Sequence, residues 1–189
     1  LASVRYVIAG AERVKDATRT AWEKSEAIIL EGYGATECSP VIACNLPNPN
    51  RPGTVGPLLL GLETKLETVA GITQGGRLKI RGPNVMAGYL LAEAPGVLQK
   101  PAGGWHDTGD IVTIGENAVL TIRGRAKRFA KIGGEMVSLA AVEALSAGLW
   151  PDAQHVVVAL PDERKGEQLI LVTDKGDADR ASLAAYCKA

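Results

Sequence analysis

Between Pro47 and Ile122 the chain is punctuated by clusters of turn-forming residues: PNPNRPG, AGITQGG, GPN, PAGG and IGEN. Proline removes a backbone donor and glycine favours turns, so this stretch cannot be a bundle of long helices. The segments left between them, Thr64–Val69, Arg77–Arg81, Ile111–Ile114 and Val119–Ile122, are short and rich in β-branched residues. That texture predicts a meandering β subdomain with functional loops. Aromatics make up only 4% of the chain, so its core must come from Val, Ile, Leu and Ala.

The flanks read differently. Arg5–Ala9 has strand character, Val14, Ala17, Ala21 and Trp22 recur at helical spacing, and Ala27–Leu30 is a continuous apolar run. This predicts a β–α–β unit at the edge of a parallel sheet. Beyond Ile122, the nine residues Arg123–Lys131 carry five basic side chains. Ser138 is placed to cap a helix running through Leu139, Val142 and Leu145 and ended by Gly148. His155–Leu160 and Gln168–Thr173 read as strands, and Asp179–Lys188 as the start of a helix. The expected fold is therefore α/β with a meandering β subdomain, followed by a partial α+β domain.

Composition excludes several function classes. The 21 basic and 21 acidic residues among 189 leave a formal net charge of zero, which gives no general electrostatic reason to bind nucleic acid. The longest apolar run, Val156–Leu160, is far short of the roughly 20 residues that cross a bilayer. Cys38, Cys44 and Cys187 lack metal-ligand or disulfide-framework spacing and read as free thiols of a reducing compartment. The chain opens on Leu1 rather than Met, with no targeting pattern after it; a piece of a longer protein is expected.

Three stretches carry chemistry. In Glu31–Pro40, EGYGATECSP, Gly32 and Gly34 permit close backbone approach to a ligand. Tyr33 offers a flat face to a purine, Thr36 a hydroxyl to phosphate, and Glu37 a hard oxygen ligand suited to Mg²⁺. A surface turn is the alternative. In Gly104–Asp110, GWHDTGD, Asp110 can accept both hydroxyls of a ribose or simply close a turn, and His106 is a packed residue or a base. In Ile122–Ser138, IRGRAKRFAKIGGEMVS, Arg125 and the spaced lysines suit a phosphate- and ribose-facing hinge or a solvated basic face.

Taken in order, GYGATE, GPNVMAGYL, HDTGD and GRAKRFAKIGGEMVS resemble the adenylate-forming superfamily of acyl-CoA synthetases, luciferases and peptide-synthetase adenylation domains, along essentially the whole chain. KIGGEMVSLAAVE and the spacer to LPDERKGEQLILVTD look most like the synthetase half of bacterial acyl-acyl-carrier-protein synthetases, fused to a 2-acylglycerophosphoethanolamine acyltransferase.

The resemblance implies activation of a fatty acid with ATP and Mg²⁺ to an acyl-adenylate, then transfer to the thiol of acyl carrier protein or CoA. It implies that Gly10, Ala11 and Glu12 contact adenine and that Tyr33 stacks on it. Thr36 would lie near the α-phosphate, Glu37 on Mg²⁺, and Asp110 and Arg125 on the ribose. Lys127 falls at the family's hinge; Lys131, Gly133 and Gly134 fall in a loop facing the site during thiol transfer. Residues 1–124 would end the large domain and 125–189 begin the small one. The family's Ser/Thr/Gly-rich phosphate loop would lie upstream of Leu1 and its catalytic Lys downstream of Ala189, so residues 1–189 alone are expected to be inactive. A fatty acyl-CoA ligase is the competing enzyme reading, and a non-catalytic nucleotide- or carrier-protein-binding module the reading from another class. By resemblance, the intact protein would sit on the cytoplasmic side of the bacterial inner membrane through the acyltransferase region.

Overall fold

The computed structural model describes residues 3–22 and 25–187. They pack as two compact units, one within Leu1–Thr68 and Gln74–Arg123, the other within Val69–Thr73 and Gly124–Ala189. The fold is mixed α/β, mostly sheet with few helices.

The first unit opens with the expected β–α–β element: β1 (Tyr6–Ala9), α1 (Asp16–Trp22) and β2 (Ile28–Gly34). β1 and β2 run parallel, Tyr6 opposite Ile28. The apolar spacing on α1 does not make a buried face. Ala17 and Ala21 are exposed, and only Val14, before the helix, and Trp22 are half-buried. What anchors this region is polar. Glu31 on β2, nearly buried, accepts hydrogen bonds from Arg19 Nη2 at 2.6 Å and from the Val14 N–H at 3.3 Å. A buried carboxylate needs such partners, because desolvation otherwise disfavours its charge.

β2 runs through the GYG motif instead of ending before it. It turns through a 3-10 segment, Thr36–Cys38, and returns antiparallel as β3 (Val41–Cys44). The GYG motif is thus the end of a strand rather than a surface turn. Gly34 is required there by close approach: a Cβ would fall 1.6 Å from the Pro40 carbonyl oxygen.

The meander forms β4 (Glu63–Glu67), β5 (Gly76–Arg81), a small hairpin β6 (Tyr89–Leu90) and β7 (Leu98–Gln99), then β8 (His106–Ile114) and β9 (Leu120–Arg125). The four longer strands make a sheet of order β4-β5-β8-β9. On β5 the period is two: Gly76, Leu78 and Ile80 are buried while Arg77 and Lys79 are half-exposed, as expected when one sheet face packs on a core. That core joins Tyr33, Cys38, Ile42 and Ala43 of the first sheet region to Leu78, Ile80, Val112 and Leu120 of the second.

In the second unit β10 (Phe129–Ile132) and β11 (Glu135–Ser138) form a hairpin, followed by α2 (Leu139–Leu149), β12 (His155–Asp162), β13 (Gly166–Thr173) and α3 (Arg180–Tyr186). The sheet order is β11-β10-β13-β12. Ala130, Leu139 and Val157 are its buried centre, with Ile132, Val142 and Leu171 packed around them. Ser138 caps α2 as expected, its Oγ accepting from the Ala141 N–H at 3.3 Å. Gly148, however, lies inside the helix. A Cβ there would sit 2.8 Å from the Tyr186 hydroxyl, so the glycine makes room for α3 rather than ending α2. Asp179 caps α3 through Ser182.

Candidate functional site

Asp110 owes its position to a bulge. Lys79 pairs with Asp107 and Arg77 with Ile111, so Leu78 alone faces Thr108, Gly109 and Asp110. Gly109 adopts φ +72°, a conformation that favours glycine. The loop closes on itself: the Gly109 N–H donates to Asp107 Oδ1 at 3.0 Å, Thr108 Oγ1 to the Leu78 carbonyl at 3.0 Å, and the Asp110 N–H to Thr108 Oγ1 at 3.2 Å. HDTGD is therefore a kinked strand rather than a free loop, and bulges of this kind re-aim side chains. Here Asp110 ends 4% exposed.

The Tyr33 hydroxyl donates to Asp110 Oδ2 at 2.5 Å. The Tyr33 ring is 9% exposed and belongs to the core, so it is not a freely displayed flat face. Core packing and Asp110 hold it. Gly10 lies alongside: a Cβ there would come 3.8 Å from the Gly32 carbonyl oxygen. Gly10, Ala11 and Glu12 form an exposed turn after β1, with Ala11 at φ +69°. Gly10, Gly32, Tyr33 and Asp110, spread over a hundred residues, thus meet within one unit. His106 is buried on β8, in agreement with a packed residue.

Thr36 and Glu37 sit in the 3-10 turn after Gly34, Thr36 exposed and Glu37 half-buried. Glu37 Oε1 accepts a 2.7 Å hydrogen bond from the Tyr89 hydroxyl, and its backbone carbonyl accepts from the Met86 N–H at 2.8 Å. Asn84 Nδ2 donates to the Cys38 and Val41 carbonyls at 2.8 and 2.9 Å. Burial, and after it the Glu37 charge, raise the Cys38 thiol above its ordinary pKa. Nothing local in GPNVMAGYL marks Asn84 or Tyr89; only the fold brings that segment to Glu37.

Arg125, Lys127 and Lys131 fall in the second unit. Arg125 ends β9, Lys127 lies exposed in a 3-10 turn, and Lys131 is exposed on β10. Lys131 is in a strand rather than a loop, its N–H held by the Glu167 carboxylate. Gly133 and Gly134, at φ +59° and +97°, form the two-residue turn to β11, the backbone such hairpins require.

Chemically, the first unit offers a buried acid fixed by a phenol and a second acid fixed by another phenol beside an exposed hydroxyl. Among the described residues no cluster of three or more His, Cys, Asp or Glu side chains could hold a metal. Glu37 suits the other mode, in which Mg²⁺ takes one or two carboxylates and completes its shell with water and nucleotide phosphates.

Residues 1–90 match the family model for AMP-binding enzymes. The chain is 33% identical over 181 residues to a 4-coumarate–CoA ligase of Pinus taeda, covering 88% of this chain and 33% of that protein. It is 30% identical over 195 residues to a long-chain-fatty-acid–CoA ligase of Haemophilus influenzae, covering 98% and 34%. Among solved structures, ATP-bound MatB of Rhodopseudomonas palustris superposes with a TM-score of 0.75 at 28% identity, over 96% of this chain and 38% of that one. The AMP complex of O-succinylbenzoate CoA synthetase from Bacillus subtilis gives 0.76 at 25%, over 98% and 39%. The chain belongs to the adenylate-forming superfamily.

The chain spans about a third of the length of the curated relatives it matches. Its α/β, sheet-rich architecture is that of the corresponding part of the family fold. Among its described residues no helix is long and apolar enough to cross a membrane.

Proposed function

We propose that the chain supplies the nucleoside and cation side of the active site of an ATP-dependent acid–thiol ligase, acting on a fatty acid with acyl carrier protein as the thiol acceptor. The observation that carries the ligase reading is the Tyr33–Asp110 hydrogen bond. It joins the two motifs to which the family resemblance assigns adenine and ribose, beside the Gly10–Glu12 turn. In this reading residues 1–124 are the end of the large adenylation domain and 125–189 the start of the small one, with Lys127 at the hinge and Arg125 toward the ribose.

The roles follow from charge. Asp110, held as an acceptor by the bulge, takes the ribose hydroxyls. Tyr33 and the Gly10–Glu12 turn bound the adenine. Thr36 donates toward an α-phosphate oxygen, and Glu37 is the carboxylate that would hold Mg²⁺. Bound there, Mg²⁺ would neutralise phosphate charge as the substrate carboxylate displaces pyrophosphate. The thiol then attacks the acyl carbonyl and AMP leaves; Lys131 and the Gly133–Gly134 turn would face that second step.

Carrier protein as acceptor is supported by the resemblance of Lys131–Glu143 to acyl-carrier-protein synthetases. CoA is the second reading, favoured by the names of the relatives. Labelled fatty acid and ATP, given to the intact protein with each acceptor in turn, separates them: the carrier-protein reading expects label on the carrier protein, and label on CoA alone overturns it. Absence of acyl-adenylate with either acceptor overturns the ligase reading.

A further inference from the structure

Asn84–Tyr89 straps the turn that carries Glu37. Asn84 ties the Cys38 and Val41 carbonyls, the Met86 N–H ties the Glu37 carbonyl, and the Tyr89 hydroxyl ties the Glu37 carboxylate. The backbone ahead of Tyr89 is tightly specified. Gly88 has φ +153°, and a Cβ there would fall 2.4 Å from the Gln99 carbonyl oxygen, while Tyr89 pairs with Gln99 across the β6–β7 hairpin. This short hairpin therefore presents the phenol from a set direction.

Tyr89 is 45% exposed. A hydroxyl that exposed has water as an alternative partner, so its hydrogen bond adds little net stability. Its consequence is for the carboxylate, whose Oε1 it meets from a fixed direction. In this hydrogen bond the Tyr89 hydroxyl is the donor and the Glu37 carboxylate the acceptor. Beside Tyr89, next to Met86, Trp105 and His106, a cavity of about 280 Å³ opens, so the phenyl ring has a pocket wall to form even without its hydroxyl.

We propose that Tyr89 is a positioning residue for Glu37, holding its carboxylate in the orientation that meets a nucleotide-bound divalent cation. The proposal rests on the cation role given to Glu37 above. Partners that orient a metal-binding carboxylate typically change affinity by about 10- to 100-fold when removed.

The test compares the intact wild-type protein with Tyr89→Phe, Glu37→Gln and the double variant. Mn²⁺ binding in the presence of ATP is followed by electron paramagnetic resonance. Tyr89→Phe is expected to weaken Mn²⁺ binding by about 10-fold or more, with no further loss in the double variant beyond Glu37→Gln. Wild-type Mn²⁺ affinity in Tyr89→Phe, with loss in Glu37→Gln, overturns the positioning role and leaves the cation role standing. Unchanged affinity in Glu37→Gln overturns both. Additive losses in the double variant mean that Tyr89 acts otherwise than through Glu37, and overturn the proposal.

Discussion

Tyr33 and Asp110 stand 77 residues apart in sequence and are joined by a 2.5 Å hydrogen bond between buried groups. One comes from the end of a strand in a three-stranded sheet, the other from a bulge in a four-stranded sheet. Truncating Tyr33 to Phe leaves a buried carboxylate one donor short, which costs about 1–3 kcal/mol. The expected result is a stability loss of that order in a urea titration, together with weaker AMP binding by calorimetry in the intact protein. Asp110→Asn is expected to keep the packing but weaken AMP binding more than Tyr33→Phe does. Equal AMP affinity in wild type and Asp110→Asn would remove Asp110 from the nucleotide site.

Glu37→Ala deletes the carboxylate from a turn that Asn84 and Met86 still hold through backbone carbonyls. The fold should therefore survive, with far-ultraviolet circular dichroism unchanged. Single-turnover acyl-adenylate formation by the intact protein is expected to fall by at least about 100-fold, as when one preorganised charge-stabilising group is removed from an active site. A near-normal rate contradicts the role.

Gly34→Ala places a methyl group where the Pro40 carbonyl already sits. Since the obstacle is backbone, relief requires opening the β2–β3 hairpin. A loss of about 3 kcal/mol or more is expected, at the upper end of overpacking costs. Gly176→Ala, with nothing within 4 Å of its Cβ position, serves as the silent control in the same denaturant titration.

The three thiols should react in order of access. Cys187 is exposed, Cys44 half-buried and Cys38 fully buried, and Cys38 also has its thiol raised by burial and by Glu37, which lowers its thiolate fraction. Mass spectrometry after brief alkylation at pH 8 is expected to find Cys187 modified first and Cys38 only after denaturation. Early labelling of Cys38 would mean that the core around it opens.

Glu143 links pH to the stability of the second unit. Burial pushes its carboxyl up, but the Val157 N–H and the Arg128 guanidinium together outweigh burial and hold it below the ordinary carboxylate value. A depressed folded-state pKa contributes stability that is present above the unfolded value near 4.5 and lost as pH falls through the folded one. Glu143→Gln is thus expected to be less stable than wild type at pH 7, with the gap narrowing below about pH 4.5. A gap independent of pH would assign the loss to packing.

Much of the architecture was legible because it rests on local rules. The two strands of the β–α–β start, the four meander strands, the Ser138 cap and the β12–β13 strands follow from apolar runs, capping and turn residues, while α1 forms without the buried face its spacing implies. The errors share a cause. GYG and HDTGD carry turn residues, yet both lie in strands, since Gly34 answers the approach of Pro40 and Gly109 serves a bulge inside β8. A glycine near a helix end commonly terminates it, yet Gly148 lies within α2 and its constraint is Tyr186, 38 residues later. A glycine announces that a Cβ is unwelcome without naming the neighbour that excludes it.

The site divides in the same way. Side-chain chemistry and motif order in the sequence by themselves determined the family, and pointed to Tyr33, Thr36, Glu37 and Asp110 as the groups to watch. Only the tertiary structure decided that Tyr33 holds Asp110 and that Tyr89 holds Glu37. Each pair joins elements 77 or 52 residues apart, and hydrogen bonds at that separation depend on strand register and on where a bulge turns a side chain, neither of which is encoded in any local stretch.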